Sequence, residues 1–228
     1  MFEIRQVKLM PIAQPSEKKR QRAPSKRSLE TRERVLDAAE AVFAIRGFDG
    51  ATIRDIVAES GEPLGTIHHH GGGKEVLFQQ VVARRAEALS GARLDALARA
   101  QAMGLADLTA VLGAFMRPFF DLSRQDPRWR HYARLVAFVS ADDRWRALSA
   151  RFFDPTARVF LAEIRALLPG ATEQSLAEGF VFSVSAMLAL LTSQERIGTL
   201  GDGRAAEAAQ IDHLVRFCAA GLEAGTAR

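Results

Sequence analysis

Residues 31–78 read TRERVLDAAEAVFAIRGFDGATIRDIVAESGEPLGTIHHHGGGKEVLF. A first helix is expected from about Leu29 to Arg46, with Ser28 as N-cap and Glu30 in the first turn, where the helix dipole favours an anion. Val35, Ala38, Ala39, Val42 and Phe43 recur at helical spacing and form one apolar stripe. Gly47 stands where a left-handed residue ends a helix. A second, short helix opens at Thr52, with Asp55 three residues on as the acidic half of a capping box. It turns Ile53, Ile56 and Val57 inward and ends at Gly61. Pro63 opens a third short helix whose only buried anchors are expected to be Leu64 and Ile67. The glycine run 71–73 breaks the chain before a long fourth helix near Lys74, with Leu77, Phe78, Val81, Val82 and Leu89 inward.

Two short helices joined by a tight, glycine-containing turn are the layout of a helix-turn-helix. In that motif the first helix braces the second across the phosphate backbone, and the second enters the major groove. The outer face of the second helix must then be polar, and small at the points of closest approach. Gly65 is small; Thr66, His68, His69 and His70 offer donors and acceptors for base edges and phosphates. The layout alone also fits an ordinary helical corner. A helical small-molecule carrier or enzyme, and a protein that binds DNA non-specifically through a basic tail, both remain open on these residues.

Outward from this segment, the 228 residues are 48% hydrophobic and 25% charged, the composition of a globular protein with a small and a larger domain. The net charge of +4 is unevenly placed. Residues 1–28 hold eight Lys and Arg against two Asp and Glu, concentrated in Lys18, Lys19, Arg20, Arg22, Lys26 and Arg27. Such a tail seeks polyanions, and Pro11, Pro15 and Pro24 keep it from being one long helix. The lone cysteine, Cys218, excludes an internal disulfide and a cysteine zinc site and fits a reducing, cytoplasmic setting. No continuous apolar run of spanning length is found, so no membrane partner is expected.

Beyond about Gly91 the helices lengthen and remain without strand signals. One begins at Asp107 and contains Pro118, one follows Asp126-Pro127, and one covers about 143–168 with an interruption at Pro155. Thr172 begins another that ends near Gly198, and the last runs from about Arg204 to Gly225. Residues 180–191, FVFSVSAMLALL, are apolar on nearly every face, so this helix needs cover on two sides. In the final helix Ile211, Leu214, Val215, Cys218 and Leu222 form a stripe and Phe217 lies off it. A symmetric contact of these last two helices with a second copy supplies the missing cover.

Catalytic and metal chemistry find little footing. Consecutive helical histidines point about 100° apart, whereas ligands on one helix face want a spacing of three or four. Gly71-Gly72-Gly73-Lys74 lacks the earlier glycine and the following Ser or Thr of a phosphate loop. No nucleophile elbow is present. No enzyme activity, cofactor or metal is expected.

The segments TRERVLDAAEAVFAIRGFDGATIRDIVAESG and LGTIHHHGGGKEVLF resemble the DNA-binding domain of tetracycline-repressor (TetR) type transcriptional regulators, in order and in register over about residues 30–80. The resemblance implies an all-α fold: a three-helix helix-turn-helix domain over 29–75 after a basic tail over 1–28, then a helical ligand-binding and dimerisation domain over 76–228. It implies that Thr52 and Lys74 contact phosphate, and that Leu64, Gly65 and Thr66 approach base edges or backbone. His68 replaces the family's usual phosphate-binding tyrosine, and His69 and His70 stand where the family also contacts DNA. Lys74 is independently unusual: it is the only lysine after Lys26, and it sits in a first helical turn, where a cation opposes the dipole. Gly71 departs from the family's apolar anchor at the end of the recognition helix, so that corner is expected to be loosened.

The resemblance further implies double-stranded DNA as partner, a homodimer through the last two helices, and a small-molecule effector. The effector is expected to be apolar or amphipathic. Its candidate contacts are Phe115, Phe119, Trp129, Tyr132, Arg134 and Phe160, with Arg117 and His131 as further polar candidates.

Overall fold

A computed structural model describes residues 25–105, 107–201, 203 and 206–226; the expected basic tail lies outside them up to residue 24. Among the described residues the fold is all-α, as expected, with no strand. The helices are α1 (Lys26–Gly50), α2 (Ile53–Ser60), α3 (Leu64–Gly71), α4 (Lys74–Ala102), α5 (Leu108–Gln125), α6 (Arg128–Ala141), α7 (Arg146–Phe152), α8 (Asp154–Leu167), α9 (Glu173–Thr192), α10 (Gln194–Leu200) and α11 (Glu207–Thr226).

Local rules account for most boundaries and for the differences. α1 starts before the expected Leu29 because Ser25, not Ser28, is the cap: the Ser25 hydroxyl accepts from the Ser28 amide at 3.3 Å. Gly47, at φ 68°, breaks the regular helix where a left-handed residue was expected. The segment 143–168 divides at Phe153, and Pro155 falls in the first turn of α8, where its missing N–H has no helical partner to lose. The segment after Thr172 is two helices, separated at Ser193.

By length and composition α9 could cross a membrane, although it holds no continuous apolar run of spanning length. In this fold it is a packing helix: Leu176, Phe180, Met187, Leu188 and Leu191 join a core built with α5, α6, α8 and α11. Phe115 meets Phe160 and Phe180 edge-on, and Phe119 packs against Trp129 and Tyr132.

A second core lies under α1–α3, and it extends into later elements. Val35, Phe43, Ile56, Ile67, Leu77 and Phe78 are fully buried together with Leu135 and Val139 of α6 and Trp145 just before α7. Phe48, Phe78 and Trp145 form a mutual cluster, with ring centroids 5.3 Å (Phe48–Phe78), 4.9 Å (Phe48–Trp145) and 4.5 Å (Phe78–Trp145) apart. α4 runs through the expected domain boundary and serves both cores.

The junction carries an ion cluster. Glu40 of α1 is 1% exposed. Its Oε2 accepts from Arg84 Nη2 at 3.0 Å and from Arg85 Nε at 2.7 Å. Arg84 also pairs with Asp37 at 2.8 Å, and Arg128 of α6 reaches Asp37 at 2.6 Å and Asp126 at 3.0 Å. Burial alone would lower Arg84, but the charges of Glu40 and Asp37 outweigh it and hold the guanidinium above its ordinary value. Tyr132 donates to the Val82 carbonyl at 2.9 Å, fastening α6 to α4. Removing a buried partner leaves the remaining charges uncompensated, so Glu40→Ala is expected to destabilise the fold by about 3 kcal/mol. Guanidinium unfolding checks this; a loss below about 1 kcal/mol, the worth of a surface pair, would contradict it.

Candidate nucleic-acid interface

α2 and α3 are eight residues each, too short to stand alone, and hold their places by caps and two deep anchors. The capping box expected at Thr52 is present. The Thr52 amide and hydroxyl both donate to Asp55 Oδ2, at 2.9 and 2.7 Å, and the Asp55 amide donates back to Thr52 Oγ1 at 3.2 Å. The Thr52 hydroxyl bond, then its amide, holds the Asp55 carboxyl below its ordinary range. Gly61, at φ 67°, closes α2, and its amide donates to the Val57 carbonyl at 3.0 Å. Ile56 and Ile67 are fully buried beneath α1 and α4.

Leu64 corrects the expectation of a second buried anchor: it is 50% exposed, on the outer side of α3. Ile67 and Gly71 form the back of the helix instead. Gly65, His68 and His69 share the exposed side with Leu64, while Thr66 and His70 are half-buried. A Cβ built on Gly65 meets no atom of the chain within 4 Å, so no neighbour within the protein requires a glycine there.

Gly71 is filled from the other side. A Cβ there would come within 3.0 Å of Leu77 Cδ1, so Leu77 already occupies the space that a larger residue at 71 would take. Gly72, at φ 69°, then turns the chain into α4. His68 Nδ1 lies 3.3 Å from the Gly72 carbonyl, and the His69 and His70 rings meet edge-on at 4.8 Å. Burial first, then the neighbouring His69 and Arg32, lowers the His70 imidazole below the ordinary histidine range.

Lys74 is not left uncompensated. Its Nζ donates to the Asp49 carbonyl at 3.3 Å and rests 4.6 Å from the centre of the Phe48 ring. Around it the acids are neutralised by arginines: Asp49 by Arg144 at 2.7 Å, Asp55 by Arg46 at 3.0 Å and Glu62 by Arg34 at 2.7 Å. The acids at the ends of α2 and beside Lys74 are therefore neutralised, while Glu59 of α2 and Glu75 of α4 remain exposed. Arg54, exposed beside Thr52, was missed in the sequence. The signal that singled out Lys74, a cation in a first helical turn, applies to it equally.

The expected effector contacts separate into two groups. Phe115, Phe119, Trp129, Tyr132 and Phe160 come together, all buried in the larger core. Burial pushes the Tyr132 phenol well above its ordinary value. Arg134 stands apart, exposed beside Thr192, Gln194 and Glu195 at the α9–α10 junction. Arg117 is half-exposed and pairs with Asp212 of α11 at 2.7 Å.

This geometry is that of a helix-turn-helix protein, with α3 facing outward from a buried Ile67. Residues 35–81 match the family described as bacterial regulatory proteins, tetR family, and residues 113–221 match the tetracyclin repressor-like C-terminal domain. Together they span more than half of the chain, which belongs to the tetR family. It is 36% identical over 72 residues to the HTH-type transcriptional repressor AcnR of Corynebacterium efficiens, covering 30% of this chain and 38% of that protein. It is 39% identical over 54 residues to the HTH-type transcriptional regulator LmrA of Bacillus subtilis, covering 23% and 29%. The matched stretch is thus well under half the length of either relative. A tetR family regulator structure from Shewanella sp. PV-4 shares the fold at a TM-score of 0.61 and 18% identity, over 87% of this chain and 99% of that one.

Proposed function

We propose that the chain is a ligand-responsive, DNA-binding transcriptional regulator, acting as a repressor and not as an enzyme. The observation that carries this reading is the outward side of α3, where Leu64, Gly65, His68 and His69 have no cover while Ile67 secures the back. α3 enters the major groove. Gly65 lets the helix approach closely, and Thr66, His69 and His70 meet base edges or backbone. His68 meets phosphate. The Thr52 hydroxyl already donates to Asp55, so the free N–H groups of Ile53 and Arg54 at the start of α2 serve the phosphate beside it. Lys74 exchanges the Asp49 carbonyl for a phosphate, and the basic tail adds salt-dependent affinity.

The protein acts as a homodimer through α9 and α11. Phe182 and Phe217 are 68% and 66% exposed. They continue the seam of an apolar groove of about 550 Å³ lined by Ala186, Ala189, Leu190, His213 and Leu214. A second copy covers this face by two-fold symmetry. The two α3 helices then stand about 34–36 Å apart and read a pseudo-palindromic operator. An apolar or amphipathic effector in the larger domain alters that separation and releases the DNA. The protein works in the cytoplasm, with no membrane partner.

Gly65→Ala separates a DNA role from a structural one. Alanine is the better helix former, so the free protein gains about 0.5–1 kcal/mol. Binding to a labelled duplex from upstream of the protein's own gene weakens at least tenfold by fluorescence anisotropy. Lys74→Ala weakens binding to that duplex and to a scrambled one alike. Unchanged binding of both variants, or no preference for the upstream duplex, would contradict the reading.

A further inference from the structure

Arg93 lies in the C-terminal half of α4 and is 7% exposed, inside the larger core. Its Nε donates to the Phe115 carbonyl at 2.9 Å, and one terminal nitrogen lies 3.7 Å from Met187 Sδ. The guanidinium carbon sits 3.7 Å from the centre of the Phe115 ring and 5.9 Å from that of Phe119. Among the described residues no carboxylate lies within ion-pair distance of it. Burial pushes this guanidinium down to about 9, so at neutral pH it is still charged.

The same helix shows what a structural arginine looks like in this protein. Arg84 and Arg85 are also largely buried, and both are held by Glu40, with Asp37 and Asp126 completing the set. Arg93 has a ring face, one carbonyl and a thioether in their place. A buried cation without an anion is costly, and the guanidinium fork is matched in shape by a carboxylate with two oxygens. Beside it lie the rings of Phe115 and Phe119 and the deformable side chain of Met187, and Phe160 and Phe180 meet the Phe115 ring edge-on.

We propose that Arg93 is the anchor of an effector site between α4, α5 and α9, and that the effector is a small amphipathic monocarboxylate. Its carboxylate pairs with the Arg93 fork, and its apolar body displaces Met187 and lies along Phe115, Phe160 and Phe180. The word effector rests on the ligand-responsive reading above. Arg93 is nine residues from Arg84 on one helix, about 13 Å along its axis. A ligand that draws on Arg93 therefore pulls on the helix that holds Glu40 and, through α1, the DNA-reading pair.

The test uses the full-length protein at pH 7, without DNA, titrated calorimetrically with octanoate and 4-phenylbutyrate and with the primary amide of each. Both acids are expected to bind at least tenfold more tightly than their amides. In Arg93→Met that preference disappears, while the free protein keeps or raises its melting temperature, because an apolar chain replaces an unpaired charge. Equal binding of acid and amide, no binding of either acid, or wild-type acid binding by Arg93→Met would overturn the proposal. Should that variant not fold, the Arg93 Nε–H resonance of the wild type decides. It moves with octanoate and not with octanamide if the site is real, and an unmoved resonance overturns it. Release of the upstream duplex is assayed separately. Acids that bind through Arg93 yet leave the DNA complex intact support the site and sink the effector reading, whereas intact DNA binding with no acid binding sinks the site alone.

Discussion

One carboxylate, Glu40, fixes how the two halves of the molecule meet. It lies almost wholly out of solvent on the inner side of α1, between two arginines of α4. A buried charge is tolerable only when its partners are present and aligned. Those partners sit more than forty residues away, so the position of α1 on α4 is specified by a contact that misalignment would make strongly unfavourable. Asp37, Arg128 and Asp126 extend the same constraint to α6. Apolar packing adds to it through Phe48, Phe78 and Trp145, which come from α1, α4 and the turn before α7.

The exposed motif depends on this foundation. α2 and α3 each contribute one fully buried residue, Ile56 and Ile67, and their ends are closed by Thr52, Gly61 and Gly72. Helices so short gain little from propensity. Their orientation is inherited from α1 behind them and from α4 in front, so a shift of α4 relative to α1 is a shift of α3 relative to the rest of the protein. The proposed DNA-reading and ligand-sensing roles can be coupled by that geometry without a flexible linker, since α4 belongs to both cores.

Much of this was legible in the sequence wherever the physics is local. The Thr52–Asp55 box and the glycines of positive φ at 47 and 61 follow from capping rules that act over three or four residues, and the start of α4 follows from the glycine run before it. Leu64 was misplaced because apolar spacing of three cannot distinguish a core anchor from a residue kept outward. Gly71 read as a lost anchor because its replacement, Leu77, comes from the next helix. Glu40 and Arg93 gave no signal. In an Ala-rich helix a charged residue normally marks the solvent face, and only a distant arginine, or the absence of any carboxylate, reveals otherwise. Trp145 likewise joins the small core from nearly a hundred residues away. The aromatic cluster at 115–160 was foreseen as a group, but the polar residue among those rings was not.

The most direct test of the account is native-state hydrogen exchange of the free protein, comparing α1 amides such as Val42 and Phe43 with α6 amides such as Leu135 and Val136. If the Glu40 cluster welds the two halves, both sets exchange through one opening of equal free energy. Protection of α1 that is lost several kcal/mol below that of α6 would mean the domain of α1–α3 opens by itself, and would contradict the account.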